Sequence, residues 1–156
     1  MKNTVAFIIV IILLSACSNQ VEYLPEELLG YKLENKLTGE EAKMFVNRLH
    51  FNDVTNLENE IGFYSDAEKE LIIYITFYEN QDLARQDELK MTKKISPQNS
   101  VFLAGKYIEI GSFEVYQCYG MGQAHYVFSK DGLLFWISVD SVTGKEFVQN
   151  YLKIIE

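Results

Sequence analysis

Two segments limit what this chain can become. Glu70 to Tyr78 reads ELIIYITFY and Leu133 to Val139 reads LLFWISV. Both are too rich in β-branched and aromatic residues for helices of that length, and both alternate with a period of two. One alternating face is uniformly apolar: Leu71, Ile73, Ile75 and Phe77 in the first segment, Leu133, Phe135, Ile137 and Val139 in the second. The opposite faces mix aromatic and polar groups, with Tyr74, Thr76 and Tyr78 in one and Trp136, Ser138 and Asp140 in the other. A chain holding two such strands must build a sheet and cover its apolar side. The expectation is a sheet with helices on one face and the other face at least partly wet, with Leu71, Ile73, Phe135 and Ile137 in the core.

Further strands are expected at Ile61 to Tyr64, Tyr107 to Ile110, Phe113 to Tyr119 and Ala124 to Ser129, separated by turns at Ser65-Asp66, Gly111-Ser112, Gly120 to Gly122 and Asp131-Gly132. Thr38-Gly39-Glu40-Glu41 is a capping-box pattern ahead of Ala42, Phe45, Val46 and Leu49 at i, i+3, i+4, i+7, which predicts an amphipathic helix. Thr143-Gly144-Lys145-Glu146 repeats the signature before Phe147, Val148, Tyr151, Leu152 and Ile155. Between them Asn80 is expected to cap a helix through Lys94, with a thin apolar stripe of Ala84, Met91 and Ile95 that places it on the surface, ended by Ser96-Pro97. Hairpin-then-helix occurs at Ile61 to Lys94 and at Ala124 to Ile155, suggesting a pseudo-repeat of two ββα units. The fold class that follows is α+β with one largely antiparallel sheet.

The first residues carry a different signal. Lys2 is followed by an unbroken apolar run, VAFIIVIILL, from Val5 to Leu14. As a helix it spans about 15 Å, half a bilayer core of about 30 Å, so it reads as a signal h-region rather than a permanent span. Leu14-Ser15-Ala16-Cys17 follows, and this resembles the lipobox of bacterial lipoproteins. The resemblance implies removal of residues 1–16 as a signal peptide and a diacylglycerol on Cys17, with an N-acyl chain; two or three chains anchor stably where one does not. It implies a place in the bacterial cell envelope. Ser18 resembles the residue of lipoproteins sorted onward, so in a double-membraned cell the expected place is the periplasmic side of the outer membrane.

After Cys17, residues to 27 are polar, carry Pro25 and read as a tether of roughly 33 Å, leaving 28–156 as a single domain. With 48% apolar and 23% charged residues and only two prolines in the whole chain, composition argues against disorder and collagen-like repetition. Fourteen basic residues face 22 acidic ones; loss of Lys2 leaves 13 against 22 and a formal charge of −9. Such a surface lacks the basic stripe that neutralises phosphates, which argues against nucleic acid as a partner. It also repels anionic lipid, so the anchor and not surface charge provides the membrane contact. Of the two cysteines, lipidation of Cys17 leaves only Cys118, which excludes an intrachain disulfide.

Motifs of established chemistry are absent from the sequence: no G-x-S-x-G, H-E-x-x-H, C-x-x-C, phosphate loop or dinucleotide fingerprint. Asp66, Glu68 and Glu70 alternate as calcium ligands do, but lack the glycine and distal glutamate of an EF-hand loop, and a solvated turn accounts for them. The segment CYGMGQAHY, from Cys118 to Tyr126, holds more interest. If Met121-Gly122 form the turn, Cys118 stands opposite His125 with Cβ atoms about 5 Å apart, a thiol beside an imidazole. A Gly120-Met121 turn or a three-residue loop pairs Cys118 with Gln123 or Ala124 instead; the plainer reading, whatever the register, is Cys118 as a small buried apolar group and His125 as a polar strand residue. His50, at the end of the first helix, could join His125 and a carboxylate as metal ligands or simply face the helix carbonyls.

Thr38-Gly39-Glu40-Glu41-Ala42 through Leu49-His50, then Met91, then Tyr116 through Gly120-Met121-Gly122-Gln123-Ala124-His125-Tyr126 and Phe135-Trp136-Ile137 resemble a layout of uncharacterised small prokaryotic exported proteins. No activity attaches to that layout. It marks His50, Gln123 and His125 as positions to test. Tyr74, Tyr78, Tyr126 and Trp136 are expected on the wetter sheet face as an aromatic platform for an envelope protein, a peptide or a glycan. The expected function is therefore a lipid-anchored, non-catalytic binding or interaction module with no cofactor beyond the lipid on Cys17. The alternative is an enzyme or metal-binding protein using His50, Gln123 and His125.

Overall fold

A computed structural model describes residues 21–49, 56–67, 69–95 and 101–156. Among the described residues, eight strands form one antiparallel sheet. The first half holds β1 (Glu27–Leu28), β2 (Tyr31–Thr38), β3 (Asn59–Asp66) and β4 (Lys69–Phe77), with α1 (Gly39–Leu49) between β2 and β3. After α2 (Gln81–Lys94) come β5 (Leu103–Ile110), β6 (Phe113–Gly120), β7 (Gln123–Lys130), β8 (Leu133–Val139) and α3 (Gly144–Ile154). The spatial order is β1-β2-β3-β4-β8-β7-β6-β5, so two four-strand meanders meet where β4 pairs with β8. That central pair is the two segments whose alternation was uniformly apolar, in register Ile73↔Ile137 and Tyr74↔Trp136.

The α+β class and the antiparallel sheet agree with the sequence reading, and Leu71, Ile73, Phe135 and Ile137 are all fully buried. They belong to a core that α3 closes with Phe147, Val148, Tyr151, Leu152 and Ile155. Tyr151 crosses Phe135 edge-on at 6.2 Å, and Gly144 leaves no room for a side chain, since a Cβ there would stand 2.9 Å from Val139 and 3.0 Å from the Tyr126 ring.

The placement of the helices corrects the expectation of one covered face. Only α3 lies over the uniformly apolar side. On the reverse, Phe45 of α1 sits 5.5 Å from Phe63 and 6.5 Å from Tyr74, while Met91 and Ile95 at the end of α2 pack on Tyr116, Cys118, Val127 and Leu134. A mixed aromatic and polar surface takes two helices of modest apolarity, so helices lie on both sides of the sheet while Tyr74 and Trp136 stay partly exposed. Hairpin-then-helix recurs as β3-β4-α2 and β7-β8-α3. However, α2 packs across β7 and β8 and α3 lies on the other side, so the recurrence is one of chain order and not of three-dimensional arrangement.

Three local differences have physical causes. β2 escapes the sequence pattern because it is mostly exposed and carries a register shift between Leu33 and Asn35, which turns Leu33 toward one face and Leu37 toward the other. The stretch to residue 27 is not all tether: Leu24 is 2% exposed in the core and the Tyr23 carbonyl accepts the Tyr151 hydroxyl at 2.8 Å. Finally, Thr143 makes no side-chain cap. Asp140 instead closes the turn ahead of the helix, its Oδ1 accepting from the Val142 and Thr143 amides and the Thr143 hydroxyl, each at 3.1 Å. Asn80 does cap α2 as expected, through the Leu83 amide at 3.0 Å.

Candidate functional site

Met121 (φ 53°) and Gly122 (φ 82°) form the two-residue turn between β6 and β7, both in the left-handed region that such a hairpin needs. Of the three possible registers, this one pairs Cys118 with His125. The pair does not form a nucleophile and its base. His125 is 4% exposed; its Nε2 lies 2.9 Å from the Gly120 carbonyl and its Nδ1 2.9 Å from the Ser138 hydroxyl. A carbonyl only accepts, so Nε2 carries the proton and Nδ1 is the acceptor. Trp136 Nε1 donates into the same spot, 3.1 Å from Ser138 Oγ and 3.2 Å from Nδ1. The chain therefore runs from the indole N–H through the serine hydroxyl and the imidazole to a backbone carbonyl. Burial lowers the His125 pKa against the opposing hydrogen bond to Gly120, so the ring stays neutral. Burial also pushes the Cys118 thiol up to about 11, away from thiolate.

Gln123 shares the His125 side of β7 but reaches sideways, donating to the Glu70 carbonyl at 3.3 Å and tying the β6–β7 turn to the start of β4. Tyr74 and Trp136 stand side by side across the central strand pair, partly exposed, flanked by Phe45 on one side and by Phe102, 5.5 Å from the indole, on the other. Tyr78, on the same side, gives its hydroxyl to Asp87 of α2 at 3.1 Å. Tyr126 does not join them. It lies on the α3 side, 1% exposed, its hydroxyl accepting from buried Gln117 at 2.9 Å. The signal that places it was present in the sequence: a two-residue Asp131-Gly132 turn pairs Lys130 with Leu133, and counting back puts Tyr126 opposite Ile137, on the apolar face.

The most elaborate polar cluster was not anticipated. Glu88 of α2 is fully buried. One carboxylate oxygen takes the Arg85 guanidinium and the Tyr107 hydroxyl at 3.3 Å, and the other takes the Ser129 hydroxyl at 2.7 Å. Arg85 also binds Glu114 and lies 5.4 Å from the centre of the Tyr107 ring, whose hydroxyl is 3.0 Å from that of Thr92. The phase of Ala84, Met91 and Ile95 already put position 88 on the inward stripe; only its being a glutamate hid it.

His50 and Cys17 lie outside the described residues. Among the described residues no group of three His, Cys, Asp or Glu side chains is placed to hold a metal ion. Comparison with protein-family models, with curated proteins and with solved structures finds no match to this chain.

Proposed function

We propose that this chain is a lipid-anchored protein of the bacterial cell envelope that acts as a non-catalytic binding or interaction module. The anchor rests on the lipobox-like Leu14-Ser15-Ala16-Cys17. The binding role rests on one observation. The groups beside the sheet's aromatic strip that acid–base chemistry would use, His125 and Ser138, are bound to each other and to the backbone, whereas Tyr74 and Trp136 next to them keep part of their ring surface open. Flat, partly exposed aromatic rings on a rigid strand pair offer contact area at little conformational cost, which suits a peptide, a glycan or a protein surface of the envelope.

The tests separate the two halves of the reading. Cys17→Ser should move the protein from membrane to soluble fractions and abolish incorporation of labelled fatty acid; unchanged partitioning would remove the anchor. Binding is read with immobilised envelope glycan and with peptide arrays, comparing wild type with Tyr74→Ala and Trp136→Ala. A reading centred on these rings predicts at least a tenfold loss in either variant, and equal binding by all three proteins would refute it.

A further inference from the structure

The two helices that close the sheet's second half are attached by different physics. α3 brings Phe147, Val148, Tyr151, Leu152 and Ile155 to its contact, all apolar or aromatic and nearly dry. The buried positions of α2 are Ala84, Glu88 and Thr92: a methyl, a carboxylate and a hydroxyl. Beside the partly buried Met91 and Ile95 at its end, its hold on the sheet is a clasp of hydrogen bonds that converge on two residues. Glu88 and Gln81 both reach Ser129, and Glu88, Thr92 and Arg85 gather around Tyr107, with Arg85 continuing to Glu114. Leu83 and Leu89 point outward, 40% and 46% exposed, and add nothing to the attachment.

Such a clasp is nearly balanced. Every polar group released from it can be taken up by water, and a buried ion pair regains little more than its desolvation cost, so opening costs chiefly the apolar area under Met91 and Ile95, whereas exposing the α3 face costs that of five buried apolar or aromatic side chains. The N-terminal end of α2 has a firmer footing: Tyr78 N–H donates to the Gly132 carbonyl at 2.8 Å and the Gly132 amide donates to Gln81 at 2.9 Å. Beneath the rest of the helix lies a strip of Tyr107, Tyr116, Val127 and Leu134 that is continuous with Tyr78 and Trp136.

We propose that α2 is a clasped lid that swings from its Asn80 end as one unit, at a lower free energy than unfolding of the sheet and α3, and uncovers this strip. The opening does not depend on the binding role given above; it adds a gate to that role, because an open lid extends the Tyr74–Trp136 surface across the second half of the sheet.

Cys118, fully buried in the same cluster as Met91 and Ile95, reports the opening. In the full chain carrying Cys17→Ser it is the sole thiol. Hydrogen exchange, resolved by peptide, is measured together with the rate at which a thiol reagent labels Cys118 in the native buffer. The lid predicts that amides from 84 to 94 exchange at least a hundredfold faster than those from 147 to 152, and that Cys118 labelling follows α2. Arg85→Ala, at a half-exposed position that leaves the core intact, should speed α2 exchange and Cys118 labelling by about tenfold while α3 exchange stays as in wild type. Exchange of α2 and α3 at one common rate, or equal acceleration of both by Arg85→Ala, would overturn the lid. Because no partner is present in these measurements, a failed binding assay leaves the result standing, and a rigid α2 leaves the aromatic reading to its own test.

Discussion

On one side of the central strand pair, Leu71, Ile73, Ile75, Phe135, Ile137 and Val139 meet α3; on the other, Ile72, Tyr74, Thr76, Leu134, Trp136 and Ser138 meet α1, α2 and the residues around Phe102. The same seven or so residues of each strand serve two interiors. The α3 side is held mainly by area, with few polar contacts: Gln117 donates to Tyr126, and the Tyr151 and Tyr64 hydroxyls donate to the Tyr23 and Pro25 carbonyls. The α2 side adds named donors and acceptors to the packing of Met91 and Ile95, and each buried side-chain nitrogen or oxygen among the described residues has a partner. Apolar packing tolerates small displacements and resists opening; a hydrogen-bonded clasp demands geometry but is released for little net free energy. A protein that must keep its shape and also expose a surface gains from having one of each.

The contrast can be broken most forcefully from the α3 side. Phe135→Ala removes a ring that stacks on Phe128 at 4.8 Å and crosses Tyr151, and should cost about 3–5 kcal/mol in urea unfolding. A loss below about 1 kcal/mol would mean that this side is not the stronger interior. On the clasp side Ser129→Ala withdraws the 2.7 Å donor from Glu88 and should cost about 1–3 kcal/mol, the penalty of a buried carboxylate oxygen left without its partner.

The smallest effect comes from His125. Its pKa is lowered in the fold, so below the unfolded value near 6.5 the unfolded chain takes up a proton that the folded one refuses. Stability is therefore complete above about pH 6.5 and falls as the pH drops toward the folded pKa, by at most about 1.4 kcal/mol per pH unit for this one group. Unfolding midpoints of wild type and His125→Gln, measured from pH 7.5 to 5, should diverge in that sense. Parallel profiles would show that the imidazole is not held neutral by the chain from Trp136 to Gly120.

Particular residues show how much could be read in advance. The β4 and β8 strands and the α2 boundary at Asn80 were legible because alternation and capping are local properties. So was the possibility that Cys118 faces His125, since a two-residue turn dictates it. Their meaning was not legible: whether His125 is a base depends on what lies within 3 Å of each ring nitrogen, and both partners, Gly120 and Ser138, arrive through pairing. Tyr126 was misplaced by treating its strand's phase as independent of the hairpin that fixes it. β2 was missed because a mostly exposed strand with a register shift has no clean period.

By itself the sequence determined the α+β class, the apolar side of the central strands, the helix that Asn80 starts and the acidic balance of the chain. These follow from spacing along the backbone and from composition, which need no knowledge of what lies opposite. Tertiary structure alone decided that the mixed side would also be covered, that Leu24 would be core rather than tether, and that Glu88 would be buried beneath a helix made to look solvent-exposed. Burial of a polar side chain is set by partners far away in the chain, here Ser129 and Tyr107, and no local pattern encodes where they meet.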